Sequence, residues 1–365
     1  MLSKSDIIKT LARNRGLFKF LPLRIRDWGK RIVGIQRLTE RIRSQLNPLV
    51  GTRYEWEYNG DSPFRLGIIY DNYHYHQYYM FACHDMGISY RVIDIRTNDW
   101  IEKLKRSECQ AFLVWPLLGN SVLKEMTDER IKIMSEELGY IVYPSFKEIW
   151  LLDNKRRTYH WLRAKQFPTP QFWDFYELNE AIEFIKNAEY PIVFKSVHGG
   201  VSSGVIICRS QNEAKKLVQQ CFKSGFIRRG VNNQDRQWGY IFFQEYLKDV
   251  EEHRLIRIGG SYINIQKIRR GDFHSGSGIQ KWGVFREDLF LLAQRITNEA
   301  KFESMSIDIF ETPQCSLLVN ELHSVSGGPL VPPDEHMGRY LFNDGKWIFE
   351  KGNFYRNYCS NLRVE

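Results

Sequence analysis

From Arg65 onward, short apolar runs alternate with longer segments of mixed character. Arg65–Tyr70, Tyr90–Ile95, Ala111–Trp115 and Tyr140–Tyr143 have the length and β-branched or aromatic content of buried strands. Between them, Gln77–Met86, Trp100–Lys105 and Ser121–Leu138 have helical length, and Gly87 and Gly139 stop the first and the third. Strands alternating with helices predict a parallel α/β sheet with ligands at the carboxyl ends of its strands. Later the texture changes. Tyr240–Leu247, Glu252–Ile258, Tyr262–Ile268, Ser306–Phe310 and Leu317–His323 follow one another through short turns, which predicts an antiparallel second half.

Upstream lies a different pattern. Ile25, Trp28, Ile32, Ile35, Ile42 and Leu46 fall on one side of a predicted helix, with Arg26, Lys30, Arg37 and Arg41 opposite. Pro48 and Gly51 close it. Residues 1–60 hold thirteen Lys/Arg and five acids, a charge of +8, so the other 305 residues carry +1 of the chain's +9. The basicity belongs to one terminal extension, and the rest lacks the basic surface of a nucleic-acid enzyme, so no nucleic-acid partner is expected. Residues 24–46 suit either an anionic membrane surface or a helix seam with the protein's own body or a second copy. With no eighteen-residue apolar run, no secretory h-region and six scattered cysteines lacking a C-x-x-C pair, the expectation is a cytoplasmic protein. Binding at the inner membrane face is the variant that the extension would add.

Candidate chemistry begins after the first strand, where Asp71–His76 replaces any G-x-G-x-x-G and disfavours an ordinary dinucleotide fold. His74 and His76 there suit substrate contact better than a metal, for want of a third ligand. Lys155 heads a helical segment that breaks at Phe167-Pro-Thr-Pro170. Lys195 ends an apolar strand and leads into a loop with His198, Gly199, Gly200, Ser202, Ser203 and Gly204. Glycines let backbone N–H groups approach an anion, and a lysine is a point charge suited to phosphate, although such a loop is equally a plain hairpin turn. Glu245-Tyr246-Leu247 ends a strand, Glu252-His-Arg254 starts the next, and Arg269, Arg270, His274 and Lys281 surround a glycine-rich segment. Asp308 and Glu321 sit on two adjacent predicted strands, with His323 on the same face as Glu321. Hard oxygens of this kind suit Mg²⁺.

In order and spacing, these segments resemble the ATP-grasp superfamily of carboxylate–amine ligases, which includes D-alanine–D-alanine ligase, from about Arg65 to Gly328. The resemblance implies an α/β and α+β protein: a parallel α/β (pre-ATP-grasp) domain, then a two-lobed ATP-grasp domain with antiparallel sheets. The expected boundaries are a basic helical extension at 1–61, the α/β domain at 62–145 and the ATP-grasp domain at 146–365, with lobes at about 156–248 and 249–365. It further implies ATP with one or two Mg²⁺ ions. Lys155 and Lys195 would meet phosphates under a flap at 198–204, Glu245–Leu247 would meet adenine, Glu252 the ribose, and Asp308 and Glu321 the metal. Arg254, Arg269, Arg270 and Lys281 are the candidate catalytic cations around an acyl phosphate. Two departures stand out: His323 replaces the family's asparagine, which puts metal number and preference in question, and Ser196 replaces a proline.

The resemblance implies ATP-dependent, ADP-forming amide bond formation between a carboxylic acid and an amine, amino acids included. The placement of charge suggests a uronic acid of a surface polysaccharide as the acid. Two rival expectations are a nucleotide-binding scaffold without turnover and a kinase that phosphorylates a hydroxyl. The aromatic tail from Pro329 is expected to pack on the ATP-grasp domain.

Overall fold

The structure, a computed structural model, describes residues 56–71, 74–116, 121–199, 204–228, 235–269, 271, 279–325 and 332–365. Residues 24–46, Gly200, Ser202, Ser203, Arg270, His274 and the segment 326–331 lie outside the described residues.

The first sheet contains β1 (Glu57–Tyr58), β2 (Arg65–Ile69), β3 (Ser89–Ile93), β4 (Ala111–Leu113) and β5 (Ile141–Tyr143), in the order β1-β3-β2-β4-β5. Its last four strands are parallel, as the alternation predicts. The crossovers are α1 (His76–Asp85), α2 (Trp100–Ser107) and α3 (Ser121–Lys132). The third predicted helix changes character before its end, for Ile133–Glu137 forms a π-helical turn. The sheet also begins earlier than the expected boundary, because Glu57 and Tyr58 pair antiparallel with Arg91 and Tyr90.

Next come α4 (Phe146–Leu151) and α5 (Lys155–Ala164). Ser145 and Glu148 close a capping box on α4, and the Asn154 side chain accepts from the Arg157 N–H on α5. Caps of this kind contribute about 1 kcal/mol each. The Glu148 carboxylate also accepts from the N–H groups of Glu303 (2.9 Å) and Ser304 (2.6 Å), tying this region to the large sheet described next but one.

The second sheet joins β6 (Phe172–Phe175), β7 (Ile192–Lys195), β8 (Val205–Cys208) and β9 (Ile241–Glu245) in the order β6-β9-β7-β8, all antiparallel. Helices α6 (Leu178–Asn187) and α7 (Gln211–Lys223) cover one face through Ile185, Leu217, Val218 and Cys221 against Phe194 and Phe243. Burying each such side chain contributes about 1.5–3 kcal/mol. The opposite face presents Lys195 with Phe172, Phe242 and the Tyr159 ring of α5.

The third sheet is wholly antiparallel, with β10 (Glu251–Ile258), β11 (Ser261–Lys267), β12 (Gln280–Trp282), β13 (Ser304–Glu311), β14 (Leu317–His323), β15 (Gly338–Asn343) and β16 (Lys346–Lys351). Helix α8 (Glu287–Ala300) packs Leu289, Phe290, Ala293 and Ile296 onto its back face, against Leu255, Ile307 and Ile309. The tail packs on the third sheet, as expected, and also reaches beyond it. Its hairpin β15–β16 extends that sheet, and α9 (Arg356–Val364) buries Cys359 and Leu362 with Ile256 and Ile265 of the sheet while reaching α1, with Arg356 and Asn357 on Asp85 and Tyr358 against Tyr78.

Candidate active site

Seven side chains singled out from sequence converge between the second and third sheets. The Lys155 ammonium lies 3.1 Å from the Glu321 carboxylate and donates to the Gly199 carbonyl at 2.7 Å. Lys195 donates to Asn320 Oδ1 at 2.8 Å and faces Glu321, Glu252 and Asp308 electrostatically. Arg254 grips Asp308 with two bonds of 2.7 Å, from Nε to Oδ1 and from Nη2 to Oδ2. The His323 ring Nε2 is 3.0 Å from Glu321 and 3.8 Å from Asp308.

The strand registers explain the convergence. Arg254 stands opposite Asp308, Asp308 opposite Glu321, and Ser306 opposite His323. Between Asp308 and Ile309 the pairing slips, so that Ile309 meets Val319 and Asn320 becomes the extra residue of a bulge. Strict alternation would aim Asn320 and Glu321 to opposite faces. The bulge brings both into the cluster.

Two residues carry weight that pattern did not reveal. Lys267 stands opposite Glu252 and donates to it at 2.5 Å and to Asp308 at 2.6 Å, so one buried ammonium joins two buried carboxylates. The only signal in sequence was its place near the end of a strand beside Arg269 and Arg270, and recognising it needed the register. Asp153 is the other. Its carboxylate accepts from the Gly199 N–H, and its carbonyl meets His198 Nδ1 at 2.6 Å. The Lys155 N–H donates to the Val197 carbonyl at 3.1 Å, so the start of α5 and the glycine loop are stitched together on both sides. Gly199 has φ +99°, and a Cβ there would fall on the Arg228 guanidinium. At Gly204 a Cβ would strike the Ser196 hydroxyl.

Charge states follow from burial and partners. Burial lowers Lys195 to about 8, against the pull of Glu321. For Asp308, burial works upward, but Arg254 and Lys267 outweigh it and hold the carboxyl below its ordinary range. Glu321 behaves alike: Lys155 and His323 overcome burial and hold it well below the usual value. Buried Tyr159, whose hydroxyl is 3.1 Å from Gln244 Oε1 and 3.0 Å from Asn320 Oδ1, is raised well above its usual range by burial and the surrounding carboxylates.

The other expected residues sit elsewhere. Glu245, Tyr246 and Leu247 leave β9 toward β10 at the junction of the two sheets, and Glu245 accepts from the Gln171 N–H at 2.7 Å. Arg269 donates to the Gly271 carbonyl at 2.8 Å and lies 3.7 Å from Asp249, outside the cluster. Lys281 requires a correction to its expected place. It is exposed and stands opposite Gln266, whose side chain shares the face of Glu251, so alternation turns it away from Lys267 and the site.

Two antiparallel lobes with lysines from one facing carboxylates of the other define the ATP-grasp class of carboxylate–amine ligases. Within it, residues 152–330 form a RimK-like ATP-grasp domain, by match to that family. The chain is 24% identical over 230 residues to alpha-aminoadipate–LysW ligase LysX of Saccharolobus solfataricus, covering 59% of this chain and 75% of that protein. A RimK domain ATP-grasp protein of Sphaerobacter thermophilus superposes with a TM-score of 0.51 at 15% identity, covering 71% of this chain and 90% of that one. The biotin carboxylase domain of Hydrogenobacter thermophilus 2-oxoglutarate carboxylase, solved with magnesium ADP and bicarbonate, gives 0.53 at 15% identity over 74% of this chain. This chain spans 64% of that domain's length.

ATP with Mg²⁺ is the nucleotide of this class. The donor set fits it: buried cations for phosphates, and carboxylate oxygens of Asp308 and Glu321 beside an imidazole for a divalent ion. Among the described residues no helix is long and apolar enough to cross a membrane.

Proposed function

We propose that this chain phosphorylates a carboxylic acid with the γ-phosphoryl of ATP and joins the acyl phosphate to an amine, releasing ADP and phosphate. The observation that carries this reading is the single buried constellation of Lys155, Lys195, Arg254 and Lys267 with Glu252, Asp308 and Glu321 between two sheets.

A carboxylate is a poor electrophile, since its charge repels nucleophiles and its oxygen leaves badly. Lys155 and Lys195 neutralise charge on the transferring phosphoryl, and their partners Glu321 and Asn320 hold them in place before substrate arrives. Mg²⁺, held by Asp308 and Glu321 with His323 beside them, supplies further neutralisation of the phosphate oxygens when bound. Arg254 spends Nε and Nη2 on Asp308 and keeps Nη1 for the oxygen of the tetrahedral adduct. Lys267 holds Glu252 toward the ribose. The amine loses a proton on attack, and phosphate departs from the acyl carbon.

For the substrates, the name of the Saccharolobus relative joins alpha-aminoadipate to LysW, which supports an amino acid as one component here. The +8 charge of residues 1–60 supports an anionic acceptor, and a uronic acid of a polysaccharide assembled at a membrane surface matches it. The same segment would seat the enzyme on that surface or pair two copies. The test is ADP release by purified protein with acid and amine supplied separately and together. Turnover must require both. Hydroxylamine should trap a hydroxamate when the acid alone is present, and a phosphorylated product that hydroxylamine leaves intact would establish a kinase instead. Deletion of residues 1–48 should reduce sedimentation with anionic vesicles, and unchanged sedimentation would remove the surface from the proposal.

A further inference from the structure

We propose that Glu251, His253 and Glu311 form a second metal site on the back of the large sheet, one that takes a zinc-class dication and serves structure rather than catalysis. Alternation along β10 aims Glu252 and Arg254 at the nucleotide face and Glu251 and His253 at the opposite one. There Glu251 stands directly across from Glu311, a like-charged cross-strand pair that destabilises a sheet unless a cation lies between the two.

The histidine supplies the second, independent observation. Its side chain is 1% exposed, and neither ring nitrogen makes a hydrogen bond of good geometry among the described residues, the nearest contact being the long one to Glu311. A buried imidazole without good hydrogen bonds is costly unless something else engages it. Its Nε2 is aimed at the two carboxylates, 3.4 Å from Glu311 Oε2 and 3.8 Å from Glu251 Oε2. These separations are long for hydrogen bonds. They approach the edge of a tetrahedron of ligands around one ion, roughly 3.3–3.6 Å when each bond is ~2.0–2.2 Å. One nitrogen and two carboxylate oxygens, all within 4.8 Å of one another, form a donor set of the kind that keeps a fourth position for water.

The neighbours leave room for positive charge. Arg286 pairs with both Glu311 and Asp288, so two carboxylates share one guanidinium, while Gln266 donates to Glu251 at 2.7 Å. Arg286 Nη1 and His253 Nε2 both face Glu311 Oε2, so an ion bound here would displace Arg286 from that oxygen or take Oε1. Glu251 is 61% exposed, which opens the site to solvent. Imidazole with two carboxylates favours a zinc-class ion over Mg²⁺, which prefers oxygen throughout. An ion here would fasten the first residues of β10 to the end of β13, directly behind Glu252.

The front cluster also contains a histidine and two acids, so the test must separate the two sites. Metal-stripped full-length protein carrying His323→Asn is titrated with Zn²⁺ by calorimetry and with Co²⁺ by visible absorption, without nucleotide. One equivalent should bind, with a tetrahedral cobalt spectrum and a rise in Tm. Adding Glu251→Gln, at an exposed position that folding should tolerate, should weaken binding about tenfold or more. His253→Gln in the same background should remove the cobalt band. The proposal is overturned if His323→Asn protein binds no zinc at micromolar concentrations, or binds it equally well with and without Glu251→Gln. Should His253→Gln fail to fold, Glu251→Gln decides alone.

Discussion

Strand β10 carries ionisable side chains on both faces, and the faces treat them differently. In front, Glu252 and Arg254 are each locked by a buried partner of opposite sign, and with Lys155, Lys195 and Lys267 the cations outnumber the carboxylates. Behind, Glu251 and Glu311 face each other with a histidine that makes no hydrogen bond of good geometry, and acids outnumber cations. A cationic excess in a cleft suits a polyanion, whereas an acidic excess around imidazole suits a metal ion. One backbone segment thus builds two opposite electrostatic environments through nothing more than its period of two.

The contrast can be broken most forcefully at Lys267. Lys267→Met strips the shared cation from Glu252 and Asp308, and the loss in unfolding free energy should be about 3–5 kcal/mol by urea titration, because two buried carboxylates lose a directly bonded cation. A loss under 1 kcal/mol would mean that the front charges are not mutually dependent. Next in size, Glu321→Gln or Lys195→Met should lower kcat/KM for ADP release by about 10²–10³. A scaffold without turnover would show no response.

Third comes pH. The folded-state pKa of Lys195 is depressed to about 8, so the lysine is charged below that value and loses its charge as pH rises through it. ATP affinity should therefore fall above pH 8, by at most about tenfold per unit, in a binding titration. Lys195→Met should flatten the profile, and a slope that survives would assign the titration to another group. The smallest effect belongs behind the strand. In metal-free protein Glu251→Gln should change stability by less than about 0.5 kcal/mol, since it relieves a like-charge pair at an exposed position. A large loss there would make the two faces equivalent.

Much of this was legible in the sequence. Alternating strands and helices announced the first sheet because each crossover is local, and Lys195, Asp308 and Glu321 stood out as charged residues on apolar strands, whereas Lys155 at a helix start and Glu252 were picked out by the resemblance. Lys267 was not legible, since its importance lies in facing Glu252 across a hairpin whose register the letters do not display. Asn320 escaped for a related reason: the bulge after Asp308 suspends the alternation by which a neighbour of Glu321 would be assigned to the far side. Lys281 was credited to the site by its proximity along the chain, and the pairing of β12 turned it away.

The sequence by itself determined which segments become strands and helices and which of them end in charge, because those are properties of composition and period within a dozen residues, while the order and spacing of its motifs carried the resemblance to a triphosphate-handling class. Only the tertiary structure decided which charges meet. Strand register, a single-residue bulge and the return of α9 to α1 are set by packing between segments up to hundreds of residues apart, and the strength of a buried ion pair depends on ångströms that no local pattern encodes.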